Sequence, residues 1–129
     1  MKLTSPIYLT LDRKRSAGKR IPLNLNWYRN AHFQISNKAK IQYKQEMAEQ
    51  IQSIVSIRWP VTIEYEYWLK VKSDIGNVHS VVEKFFQDAL VCLGRIPDDN
   101  VSYITGANYR FMGFDRKNPR CEITIIEGE

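Results

Sequence analysis

Apolar and polar positions alternate early in the chain, with Ile7, Leu9 and Leu11 set against Tyr8, Thr10 and Asp12. A period of two predicts a half-buried strand over roughly the first ten residues. The stretch RKRSAGKR (13–20) then predicts a turn or loop with Gly18 at the bend, and IPLNLNWYRNAHF (21–33) follows neither period and predicts an ordered, Asn-rich loop. Ser36 or Asn37 is the expected cap of a helix running through Lys40, Tyr43, Met47 and Ile51 to about Ile54. After Pro60, Val61, Ile63, Tyr65, Tyr67 and Leu69 share one face of a predicted strand, with Thr62, Glu64, Glu66, Trp68 and Lys70 on the other. Val78, Val82, Phe85, Phe86, Ala89 and Leu93 fall on one stripe of a second helix, Asn77 to Leu93, which Gly94 and Pro97 stop. Two strands follow, VSYITGANYRFMG and RCEITIIE, joined by the turn FDRKNP. The order strand, helix, strand, helix, strand, strand predicts an α+β domain, with a small mixed sheet of about four strands and two main helices.

At 129 residues the chain is long enough for one core and one domain. No apolar run reaches the length of a membrane span, and the N-terminus lacks the apolar stretch and cleavage site of a secretory signal, so a cytoplasmic protein is expected. Cys92 and Cys121 are the only cysteines and have no zinc-like spacing, which predicts two buried free thiols. Charge changes the picture more. The net charge is +5, and the first 45 residues hold Lys2, Arg13, Lys14, Arg15, Lys19, Arg20, Arg29, Lys38, Lys40 and Lys44 against Asp12 alone. Such a surface either is merely solvated or holds a polyanion through phosphate contacts.

Carboxylates gather instead around the second helix. Asp74 precedes it, Lys84 and Asp88 lie on a polar row with Asn77, and Asp98 and Asp99 follow it. Crowded carboxylates must protonate, face water or hold a cation, and magnesium or manganese takes such hard oxygen ligands. A lysine nearby would meet charge building on a phosphoryl group. Each feature also has a structural reading. Ser73 or Asp74 can cap the helix, IPDDN can be a turn, Lys84 and Asp88 can pair across one turn, and Glu64 and Glu66 can face water. His32 and His79 have no histidine or cysteine at ligand spacing.

The run from Asp74 to Asn100 resembles the RusA-type Holliday junction resolvases, whose signature is Asp-x-Asp-Asn, a Lys, Asp-Ala-Leu, a Gly and a double Asp. Here Asp74-Ile75-Gly76-Asn77, Lys84, Asp88-Ala89-Leu90, Gly94 and Asp98-Asp99 occupy those places. PVTIEYE, RCEITI, NLNWYRNAHF and Tyr43-Lys44 resemble flanking family segments, so the likeness covers most of the chain. It implies a RusA-like fold and a homodimer that cuts four-way DNA junctions with magnesium or manganese. Carried over by position, Asp74 and Asp99 would be metal ligands, with Asp98 and Glu66 as further candidates, and Lys84 would be the essential lysine. Arg13, Lys14, Arg15, Lys19, Arg20, Arg29 and Lys44 would contact DNA, and Trp27, Tyr28 and Phe33 are candidates for the dimer surface. Two departures stand out. Four extra residues separate Asn77 from Lys84, and Gly76 replaces the family's second Asp. Gly76 leaves open a protein of this fold that binds junctions without cutting them. A scaffold that holds another protein is a third class.

Overall fold

A computed structural model describes residues 1–13 and 16–128, with side chains for 1–11 and 18–128. Nine elements follow in order: β1 (Lys2–Pro6), β2 (Tyr8–Arg13), β3 (Ser16–Pro22), α1 (Leu25–Asn30), α2 (Phe33–Gln52), β4 (Val61–Leu69), α3 (Ile75–Cys92), β5 (Ile104–Phe114) and β6 (Arg120–Glu127). The main sheet runs β1-β6-β4-β5, antiparallel except for the β4–β5 pair, and β2 with β3 forms a separate hairpin. This is an α+β domain with a mixed four-stranded sheet, as expected.

Four local readings change. The single early strand is two, because Pro6 has no N–H with which to extend the β1 ladder. Beyond Ile7 the chain leaves β6 and pairs with β3 instead. RKRSAGKR is therefore not a loop throughout, since residues 16–20 belong to β3. Within the Asn-rich segment, the Asn24 side chain accepts from the Trp27 N–H and starts the short helix α1. The first long helix, α2, also begins earlier than Ser36: His32 is its cap, and its Nδ1 accepts from the Gln34 N–H at 3.2 Å.

The core lies between the sheet and the long helices. From β4, Ile63, Tyr65 and Tyr67 are fully buried, and they meet Phe86 and Leu90 of α3 and Tyr43, Met47 and Ile51 of α2. Apolar spacings of three and four turn both helices inward. The buried Ser5 and Tyr43 hydroxyls lie 2.6 Å apart, and the Tyr67 hydroxyl is 2.7 Å from His79 Nδ1, so these polar atoms enter the core with partners. The other sheet face carries half-buried polar residues, where Arg120 stacks on Trp68 and bonds Glu122 and Asp115. No helix among the described residues is long and apolar enough to cross a membrane.

Candidate functional site

The β4–α3–β5 unit decides where the acidic residues fall. Since β4 and β5 are parallel, α3 must carry the chain back from the end of one strand to the start of the other. Asp74, at the N-terminus of α3, therefore lies at the Leu69 end of the sheet. Asp98 and Asp99 lie at the Val61 end, in the turn that leads into β5 through Asn100. Eighteen residues of helix separate the two groups, about 27 Å of rise. Within one chain, Asp74 and Asp99 do not share a pocket.

Asp74 is the N-cap of α3, and its Oδ1 accepts from the Gly76 N–H at 2.9 Å. The capping interpretation of SDIGN thus holds, and it coexists with exposure of the carboxylate. Gly76 sits inside the first turn of the helix rather than in a loop. A Cβ built there would stand 3.3 Å from Asp74 Oδ1 and 3.6 Å from the Tyr109 hydroxyl. The position that is Asp in the resembling family thus points directly at the Asp74 carboxylate. Asn77 follows in the same turn, its N–H bonded to the Asp74 carbonyl at 3.1 Å.

Glu66 cannot fill the vacancy beside Asp74. Even-numbered positions of β4 face away from the helices, and the Glu66 carboxylate instead accepts from Arg110 at 2.7 Å. Lys84 is exposed ten residues along α3, about 15 Å from Asp74 and beyond the reach of a lysine side chain. It forms no ion pair with Asp88 among the described residues. Asp88 faces another neighbourhood, a groove between α2 and α3 lined also by Lys40, Lys44 and Cys92. Asp98 closes its own turn: its Oδ1 accepts from the Asp99 N–H and its Oδ2 from Asn100 Nδ2. The exposed Asp99 carboxylate has no such commitment among the described residues. Among the described residues, no group of three or more carboxylate, histidine or cysteine side chains is placed to hold a metal. Within one chain, Asp74 and Asp99 are not placed to hold one cation together.

The basic candidates divide. Arg20 lies over the Tyr8 ring at 4.4 Å, and Tyr8 shares a groove with Lys70, Val71 and Ser73, next to Asp74. Lys19 is its exposed neighbour on β3. Lys70 and Lys72, in the linker that delivers Asp74, were missed from sequence; the signal was the LKVKSD spacing of two lysines just before the motif. Lys44 lies toward the other end of α3, with Nζ 3.6 Å from Cys92 Sγ, and Arg29 is exposed in the last turn of α1. Lys14 and Arg15 fall outside the described residues, and so does the side chain of Arg13. Cys92 is exposed, which corrects the expectation of two buried thiols; burial pushes the Cys121 thiol up to about 12. His79 is buried against Tyr67, Tyr109 and Glu83, a core role. Trp27 and Tyr28 are half-buried against the core, Tyr28 packing edge-on to Phe85, whereas Phe33 is 65 % exposed.

No protein-family model matches the chain, and no curated protein matches it.

Proposed function

We propose that this chain is a RusA-type, structure-selective DNA endonuclease that acts on four-way junctions as a homodimer, with each acidic site shared between two chains. The observation that carries this reading is the placement of two exposed acidic groups at opposite ends of α3. A two-fold axis beside that unit brings the Asp74 end of one chain to the Asp99 end of its partner. Two carboxylates suffice for magnesium or manganese, which keeps several waters and shares its coordination with substrate phosphates. When bound, such a metal supplies Lewis-acid polarisation of the scissile phosphate and activates water.

The residues of this chain do the positioning. Asp74 is held by its own helix terminus, so its free oxygen is oriented before any cation arrives. Arg20, over Tyr8, and Lys70 flank the groove next to that end, Lys72 lies in the linker before Asp74 and Lys19 adjoins Arg20 on β3; together they would draw in the phosphate backbone. Contacts of this kind fix position on the duplex and read shape rather than base sequence.

The test is complementation between two inactive variants. Asn at position 74 keeps a capping oxygen, so Asp74→Asn removes charge with little loss of stability. Asp74→Asn and Asp99→Asn proteins are each expected to leave a labelled junction uncut with manganese. Mixed, they exchange subunits, and each heterodimer regains one intact site, so nicking returns at about a quarter of the native sites. Cutting by either variant alone at the native rate would remove that carboxylate from the mechanism.

Gly76 favours a second reading, a protein of this fold that holds junctions without cutting them. The missing carboxylate, with Glu66 turned to the opposite sheet face, leaves Asp74 alone in its own chain. Salt-sensitive junction binding with no cleavage across a metal titration would support this reading over the first.

A further inference from the structure

In a regular strand Phe111 and Phe114, three residues apart, would face opposite sides of the sheet. In β5 they share one side. Phe111 pairs with Tyr67 and Phe114 with Leu69, and the register shifts between Tyr67 and Trp68, which leaves Met112 as the extra residue of a bulge. Gly113, with φ of 154°, supplies backbone there that other residues rarely adopt, and the bulge re-aims the side chains beyond it. Tyr67 and Leu69 point toward the helices, so Phe111 and Phe114 do too, and their rings meet edge-on with centroids 5.1 Å apart. Tyr109 stands in the same row, stacked on His79 of α3. Helix α3 starts too late to cover this row, and the two phenylalanine rings stay 47 % and 57 % exposed.

We propose that the groove between these two rings and the start of α3 takes one unstacked DNA base, with the attached phosphate on Lys72. Leu69 and Ile75 complete its apolar wall, and exposed Lys72 and Ser73 form its rim. Size selects the occupant: the volume of about 240 Å³ falls below the roughly 300–1,000 Å³ of sites for larger ligands, and suits one planar ring system rather than a helix. Charge points the same way. Lys72 stands at the rim, and the neighbouring groove, which shares Leu69 and Ser73, carries Lys70. Aromatic faces beside cations are how proteins hold unpaired nucleotides, since every base has a face to stack and a phosphate to neutralise. Position gives the site its use. Ser73 and Ile75, the residues on either side of Asp74, both line the groove, so a seated base sets its adjoining phosphate beside that carboxylate.

The inference rests on the reading of this chain as a DNA-binding protein, and it is tested by binding without metal. The probe is a labelled single-stranded thymidine oligonucleotide, followed by fluorescence anisotropy in the presence of a chelator. Phe111→Ala and Phe114→Ala are each expected to weaken its binding about tenfold, the size of one lost stacking contact, and to weaken a blunt duplex less than about twofold. Phe114→Leu, which keeps apolar bulk without a ring, should lose as much, whereas Phe114→Tyr should bind as the native protein does. Lys72→Ala should lower the salt dependence by about one phosphate contact, which the phenylalanine variants leave unchanged. Ile41→Ala, an exposed apolar residue on α2, should alter nothing. With 5-iododeoxyuridine in the oligonucleotide, irradiation should link the base to Phe111 or Phe114. Native affinity in both alanine variants would overturn the proposal, and so would variants that change only the sedimentation of the protein, which would assign the rings to a protein contact. Ring-dependent binding without junction cleavage would sink the nuclease reading alone, and a native protein that binds no DNA would sink both.

Discussion

Asp74 meets two demands with one carboxylate, capping α3 through Oδ1 and leaving the other oxygen to solvent. Gly76 limits what that arrangement can hold. Gly76→Asp adds a carboxyl group beside Asp74, in ordinary helical backbone, and the 3.3 Å approach to Asp74 Oδ1 requires a shift of only tenths of an ångström. Two adjacent carboxylates repel until a cation arrives, so the added residue strengthens the dependence on metal. Manganese affinity, read by titration calorimetry, is expected to rise at least about tenfold, and junction cleavage with it. Unchanged affinity would show that the end of α3 is not a metal site. The acidic residues stand out in the sequence, but their placement at opposite ends of α3 does not. Glu66 was rightly placed on the polar side of its strand, yet a period of two does not say which face the helices cover. The i, i+4 spacing of Lys84 and Asp88 likewise marked a shared helical row, while Asp88 turns toward the lysines of α2.

Among the elements, the long periodic ones matched their patterns and the short ones did not. β4 and α3 bury the residues their spacing selected, and Gly94, with φ of 74°, ends α3 where expected because glycine tolerates that backbone. The β1–β2 break escaped notice, since alternation runs on through Ile7 while only the pairing partner changes. β3 was hidden by its composition, as Gly18 and the lysines and arginines around it mimic a turn. At the β1 edge, Gln50 Oε1 accepts from the Thr4 N–H and Gln50 Nε2 donates to the Thr4 carbonyl, a bridge across 46 residues that leaves no mark in local sequence. Gln50→Ala frees both hydrogen-bonding groups of Thr4 at the exposed β1 edge. The expected cost is about 1–2 kcal/mol in urea unfolding, together with new concentration-dependent association by light scattering. A variant that behaves as the native protein would show that the bridge does not guard the edge.

For the molecule as a whole, the core sets an upper limit on alkaline tolerance. Buried Cys121 keeps its proton to about pH 12, whereas an exposed thiol loses it near 9. The unfolded chain therefore gains charge first. The contribution is complete below pH 9 and declines as pH rises toward 12, by about 4 kcal/mol if fully expressed. Burial raises Tyr43, Tyr65 and Tyr67 as well, which extends the decline above pH 10. Cys121→Ala is expected to flatten stability between pH 9 and 10 in denaturant titrations, and an unaltered slope there would assign the effect elsewhere.

The helix that holds Asp74 and Asp99 apart also bears on dosage. The proposed centre, divided between two polypeptides, would exist only when they meet, so in dilute solution turnover would follow the square of the chain's abundance. Low expression would then leave cellular DNA untouched, and modest accumulation would switch cutting on steeply, without any dedicated inhibitor.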